Sequence, residues 1–390
     1  MDRSLWVAAL LAPLATGCQC GNETGLNFDF PEPDIEIEGD PAPESFGEWA
    51  SVDTAPDGVQ LTMSYFDRKA TAVGYAVGTP ELGDAGAVSI AWRHERIAGY
   101  PSSNLQDDSD DVGRYTSQRT APDGTVWVAY HNATNDQLEI AHRIGPLQWE
   151  PPVVIEGAGG QWSSMALDPA GRPVIAHVDE GAAAVKMTRL LDEGWRTDVI
   201  YEGRPQDALD GEGNPIVRPA GVSHTRLVAR DGIEAIALYN SARQSLVVLE
   251  GSGNVFDAAE VDRSADVGEW PSIERAGDDL VVAYHDIDNQ DLKVATRSGG
   301  TWSVELVDDG HLRGADTEVF VSQGNVGVVY FDGFENDARV AMRERGQWTL
   351  DRVGADNLAV GYHNEVVKAG GRVWAVSYNY TDQSPWLRAL

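Results

Sequence analysis

Residues 268–307 read GEWPSIERAGDDLVVAYHDIDNQDLKVATRSGGTWSVELV. Four short segments, Pro271–Arg275, Leu280–Tyr284, Leu292–Thr296 and Trp302–Val307, are rich in Val, Tyr and Trp. The intervening Ala276-Gly-Asp-Asp279, His285–Asp291 and Arg297-Ser-Gly-Gly300 are turn chemistry, so the stretch predicts four antiparallel strands joined by hairpins. It opens on a glycine followed two residues later by a large or polar residue and four later by Ser, Thr or Glu. The same signature recurs at Gly47-Glu-Trp49-Ala-Ser51, Gly113-Arg-Tyr115-Thr-Ser117, Gly160-Gln-Trp162-Ser-Ser164, Gly221-Val-Ser223-His-Thr225, Gly314-Ala-Asp316-Thr-Glu318 and Gly361-Tyr-His363-Asn-Glu365. Seven copies at a spacing of roughly fifty residues mark a radial repeat. No helical period runs through the region, so the expected fold is all-β, a seven-bladed β-propeller with four-stranded blades.

Other positions repeat in step. The second segment of several units ends as Ala129-Tyr130-His131-Asn132 or Ala283-Tyr284-His285-Asp286 do, and the fourth opens on tryptophan at Trp149, Trp195, Trp302 and Trp348. The last unit reaches Leu390 after its third segment, while Asp34-Ile-Glu-Ile-Glu-Gly39 stands alone before the first glycine. That orphan segment is similar to the fourth segments Val153–Gly157 and Asp198–Gly203, which predicts a ring closed by an N-terminal strand completing the last blade.

Composition sets bounds on partners. Lys and Arg total 29 against 62 acidic residues, a net charge of −33, which repels nucleic acid and anionic headgroups. The acidity is no sign of disorder, because 42% of residues are apolar and 12 are Trp. The only cysteines, Cys18 and Cys20, precede the repeats, so the ring can hold neither a disulfide nor a thiolate metal site.

Arg3 and the apolar run Leu5–Leu14 form a processing segment too short to span a bilayer as a mature helix. Ala15-Thr16-Gly17-Cys18 resembles the bacterial lipobox, with Ala15 where that pattern usually has Leu. The resemblance implies a lipoprotein signal peptide over residues 1–17, lipidation of Cys18, a polar tether over 18–33 and the propeller over 34–390. It further implies a cell-envelope address, at the outer membrane given Gln19, with membrane contact through the lipid alone. An ordinary secretory signal is the alternative.

The repeat unit resembles the propeller repeats of the sialidase-like superfamily, whose turns read Ser-x-Asp-x-Gly-x-Thr-Trp. Arg297-Ser-Gly-Gly-Thr-Trp302 keeps the Gly, Thr and Trp and loses the Ser and Asp. The family's Arg-Ile-Pro landmark is missing, and its arginine triad finds no positional match in this sequence. Nor does the sequence carry a Gly-x-Ser-x-Gly elbow, a His-Glu-x-x-His pair or a phosphate loop.

The expected function is therefore a monomeric module binding glycan or protein, with a sialidase-like glycoside hydrolase or a structural envelope component as alternatives. Its candidate ligand-binding residues are Trp49, Tyr115, Trp162 and Trp270 at one repeat position, and His131 and His285 at another. The tryptophan position suits sugar faces, and it equally suits packing between blades. The long connections Tyr100–Val112 and Arg204–Ala220 belong to the same rim. No cofactor is expected; Asp286-Ile-Asp288-Asn-Gln-Asp291 has carboxylates spaced as in calcium loops but lacks the glycine and distal glutamate. If Cys18 is the anchor, Cys18→Ser should move the protein from the membrane to the soluble fraction or stall its processing; unchanged partitioning would exclude the anchor.

Overall fold

The computed structural model describes residues 38–83, 87–101, 109–155, 157, 159–203, 221–354 and 357–390. Cys18, the Ile35/Ile37 segment, most of the Tyr100–Val112 connection and residues 204–220 lie outside the described residues. Among those described there is no helix; every regular element is a strand. Seven antiparallel sheets follow one another along the chain, each meandering from its first strand to its last. The seven first strands are Glu48–Thr54, Val112–Thr120, Gln161–Leu167, Ser223–Arg230, Val267–Ala276, Arg313–Ser322 and Tyr362–Ala369. They pack edge to edge around a common axis, the first against the second and so on until the seventh meets the first. The fold is thus a seven-bladed β-propeller. Blade 1 carries an additional hairpin, Pro80–Leu82 with Val88–Ile90, between its third strand and its outer strand Arg93–Ala98.

The chain closes into a ring through described residues alone. Gly47 approaches Pro385 in the third strand of blade 7 so closely that a Cβ would lie 2.8 Å from its ring. Across the same junction Thr54 Oγ1 donates to Lys368 O at 2.6 Å and Gly370 N to Gly58 O at 2.8 Å. Ala50, Val52, Met63 and Tyr65 of blade 1 share one buried cluster with Val367, Trp374, Val376 and Leu387 of blade 7. The seventh sheet shows three strands, Tyr362–Ala369, Arg372–Asn379 and Ser384–Ala389, among the described residues. Asp40 bridges to His94 in the outer strand of blade 1.

Each blade buries its faces against its neighbours, because a twisted four-stranded sheet alone would leave both faces wet. The alternating Val, Ala and Tyr of the second strands supply most of that core, and Tyr65, Tyr130, Tyr284, Tyr330 and Tyr378 are almost fully buried. Several tyrosines end on a neighbouring element. Tyr284 donates to Asp262, the last residue of the preceding blade's outer strand, at 2.7 Å, and Tyr330 donates likewise to Asp308 at 2.6 Å. The tryptophans that open outer strands serve a second latch. Trp149 Nε1 donates to Glu95 at 3.1 Å while Arg143 grips the same buried carboxylate through two hydrogen bonds, at 2.6 and 2.7 Å. Trp348 and Arg343 repeat that arrangement on Glu305.

One expectation needs correction. In the fourth repeat the residue paired like Ser51 or Ser272 is Arg226, opposite Ala237, so the true frame is Val222-Ser-His224-Thr-Arg226 and not Gly221-Val-Ser223-His-Thr225. Elsewhere the glycine is obligatory. Gly268 has φ of 107°, and a Cβ there would sit 2.6 Å from Leu246 Cα in the preceding blade. Gly268→Ala should therefore destabilise the ring by about 3 kcal/mol, read as a lower denaturant midpoint at unchanged slope. An unchanged midpoint would show that this approach can relax freely.

Candidate functional site

In every blade the register between first and second strand slips just ahead of the fifth motif residue, for example between Glu48 and Ser51 and between Glu269 and Ser272. The slipped residue is in the left-handed region each time: Trp49, Tyr115, Trp162, His224, Trp270, Asp316 and His363 have φ between 48° and 56°. Such a conformation costs a non-glycine residue about 1–2 kcal/mol, and a bulge re-aims the side chain it carries. Here all seven side chains turn toward the axis and line one cup of about 550 Å³, mouth included, near the strand ends that follow the interblade links.

Neighbouring blades hold these bulges in place. Thr116 Oγ1 donates to Trp49 O at 2.6 Å, Ser163 Oγ to Tyr115 O at 2.5 Å, and Thr317 Oγ1 to Trp270 O at 2.6 Å. Thr225 bonds Trp162 O in the same way, and Asn364 Nδ2 reaches Asp316 O at 2.7 Å. A second row runs beneath: Ser51, Ser117, Ser164 and Ser272 each accept a backbone N–H from the next blade, at 3.1, 2.8, 2.9 and 2.9 Å. In blades 4, 6 and 7 that serine is replaced by Arg226, Glu318 and Glu365.

The cup is therefore two-sided. On one side the rings of Trp49, Tyr115 and Trp162 touch successively, with centroids 4.3 and 4.6 Å apart, and Trp162 lies 5.5 Å from Trp270. His224 stacks on Trp162 at 3.7 Å and His363 on Trp49 at 4.5 Å. On the other side stand Asp316 and the charged row, where Arg226 lies 3.2 Å from Glu365 and 3.8 Å from Glu318. Arg226 keeps 37% of its side chain accessible, so the pair is reachable from the mouth.

Confinement changes the charges. Burial lifts the Asp316 carboxyl to about 7, with the His363 backbone N–H and Arg226 pulling it back. Burial, and then the Glu365 carboxylate, raise Glu318 well above the usual range, while Arg226 opposes the rise. Burial, aided by Arg226, lowers both His224 and His363 to about 3, so both imidazoles are neutral at physiological pH.

Of the six residues singled out in the sequence, the structure brings Trp49, Tyr115, Trp162 and Trp270 together in the cup. Trp162 also packs against the buried cluster shared by blades 3 and 4, so at that position lining the cup and packing between blades coincide. His131 stands behind Tyr115, 6.0 Å ring to ring, and its Nε2 is 3.0 Å from Asp136, which also accepts from Gln161 beside Trp162. It is a positioning group for the wall. His285 lies 3.6 Å from Glu269 and does not line the cup. The Asp286 carboxylate is taken by Lys293 at 2.6 Å and by Asn289, and no cluster of metal-binding side chains occurs among the described residues. Sequence reasoning missed His224, Arg226, Glu318 and Glu365 as site residues, although the motif contained their positions and Asp316 and His363 besides.

No family model and no curated relative matches the chain. Among solved structures it is similar to the polysaccharide lyase Uly1, at 10% identity and a TM-score of 0.50, over 90% of each chain. It is also similar to the Hadza microbial sialidase Hz136, at 15% identity and a TM-score of 0.49, over 74% of this chain and 63% of that one. The Aleuria aurantia lectin in complex with a fucoside is similar at 11% identity and a TM-score of 0.45, over 81% of this chain and 99% of that chain. At such identities the likeness establishes the propeller fold alone.

The raised Asp316 carboxyl has a consequence for stability. The unfolded chain ionises this group near the ordinary 3.8 and the folded chain near 7, so its contribution to stability falls between those values and levels off above them. Asp316→Asn should match the wild-type melting temperature near pH 4 and exceed it at about pH 8. A difference that is constant with pH would show that the carboxyl is not desolvated by the cup.

Proposed function

We propose that this protein is a binding module that takes one end of a glycan into the axial cup. The carrying observation is the mixed lining: aromatic rings from blades 1, 2, 3 and 5, with the imidazoles of blades 4 and 7 stacked on them, share one cup with Asp316, Glu365 and Arg226. A pyranose presents apolar C–H faces and polar edges, and that lining matches both. A concave axial site suits chain ends or short branches better than an entire protein surface.

A second reading has its own observation. Burial and the Glu365 carboxylate push Glu318 toward its protonated form, as a proton donor beside an ionisable partner needs. Two such carboxyl groups could hydrolyse a glycosidic bond if their separation straddles it. Under this reading Glu318→Gln abolishes turnover while ligand still binds.

The lipobox-like Ala15-Thr16-Gly17-Cys18 supports anchoring of this module at the cell envelope, probing glycan on whichever side the ring faces. The surface charge argues against nucleic acid as the partner.

A glycan array run beside glycosidase assays separates binding from turnover. Trp270→Ala should weaken binding of the best oligosaccharide roughly thirtyfold, as the loss of a central aromatic anchor costs about 2 kcal/mol. Lost stability with unaltered affinity in the folded fraction would reject the cup as the binding site.

A further inference from the structure

We infer that the glycan end seated in the cup carries a free, positively charged amine, so the ligand class is an aminosugar rather than a neutral, N-acetylated or acidic sugar. This deepens the sugar-binding reading and rests on it. The first ground is charge. Asp316 and Glu365 line the recess with Arg226 as the one cation of that lining, and Arg226 also faces Glu318, on which Arg119 acts as well, so the lining itself holds two carboxyl groups to one guanidinium. Glu269 is a further acid near Asp316, and the two imidazoles are neutral. Confined carboxylates in excess must be neutralised by protons or by a cation, and an arriving ammonium group exchanges for those protons.

The second ground is the opposing wall. Trp49, Trp162 and Trp270 line the same recess, and aromatic rings around a recess attract an ammonium group that has left bulk water. Aromatic faces beside surplus carboxylates select a cation over a neutral isostere, whereas either feature alone would not. An acidic sugar is disfavoured by the same geometry. It would need free guanidinium groups, and Arg226 is already engaged by Glu365 and Glu318.

The third ground is a polar atom kept in reserve. His224 is 8% exposed, its Nδ1 is bonded to Ser223 Oγ at 2.7 Å, and its Nε2, in the wall of the cup, has no protein partner. A buried imidazole nitrogen left open in this way is satisfied when a ligand hydroxyl or amine enters.

The test titrates the full chain with deacetylated chitosan oligosaccharides and with N-acetylated chitin oligosaccharides of equal length. Calorimetry at about pH 6, where amines are charged, reads the affinities. The amine-bearing series should bind roughly tenfold tighter or better, and Asp316→Asn should narrow that gap. Equal or tighter binding of the acetylated series overturns the inference while leaving the sugar-binding reading in place. Failure of both series, and of neutral oligosaccharides, removes the sugar-binding reading with it. An amine preference that survives Trp270→Ala at full size would locate the attraction on the acidic outer surface, and that too overturns the inference.

Discussion

The structure depends on one backbone constraint: in each blade a non-glycine residue at the start of the innermost strand is held in the left-handed region. Left to itself such a residue would relax into the extended region and restore the pairing register. What prevents it is the neighbouring blade, whose hydroxyl or amide holds the strained carbonyl in five of the seven places, at Trp49, Tyr115, Trp162, Trp270 and Asp316. In those five places the bulge and the contact between blades support one another. The same contacts that join blades also aim the site, so binding residues and folding residues share one layer.

That layer is not uniform, and its interruptions coincide with the chemistry. Among the described residues, no hydroxyl stitch from the next blade is seen where Pro271 and Ala50 stand, after His224 and His363. The row beneath loses its serine at Arg226, Glu318 and Glu365. The junctions of blade 4 with 5 and of blade 7 with 1 thus lack both rows. Other contacts offset the loss. Arg297 binds Glu250, Tyr284 and Lys293 reach Asp262, and Thr54 holds Lys368 O across the seventh junction. Peripheral latches of the same kind join blades that keep both rows, as Tyr330 with Asp308 and Arg343 with Glu305 do, so the periphery holds the ring whatever stands at its centre.

The repeat was legible because its causes are local. Glycine with a positive φ and a close neighbour admits no other residue, so Gly268 and its counterparts spaced the blades in the sequence as they do in space. Strand and hairpin chemistry followed from Val, Tyr and Asp-Gly patterning. The aromatic members of the cup were legible too, since Trp49, Tyr115, Trp162 and Trp270 share one motif position. The polar members were harder to see. In the fourth repeat Val222 occupies the glycine position and the adjacent Gly221 drew the frame one residue astray, hiding both His224 and Arg226. Asp316 and His363 stood in frame, but a pattern sought as an aromatic platform gives no weight to a carboxylate or an imidazole. His131 and His285 misled for the opposite reason: their shared hairpin position resembled a paired site, whereas the second strand places them outside the axis.

The general step is that in a radial repeat the informative residues are departures from the consensus at positions that face the axis. Position +2 from the motif glycine lines the cup in every blade, and position +4 reaches it at Arg226 and Glu365. Where they read Trp or Tyr followed by Ser, they build a wall and a stitch; where they read His and Arg, Asp and Glu, or His and Glu, they give up the stitch for a charge. Burying such groups costs free energy that a serine would have spared, and burial shifts Asp316 and Glu318 toward their protonated forms. A scaffold needs none of this for stability. The asymmetry placed on a near-symmetric ring is what the proposed binding of a ligand with one apolar face and one charged edge would account for.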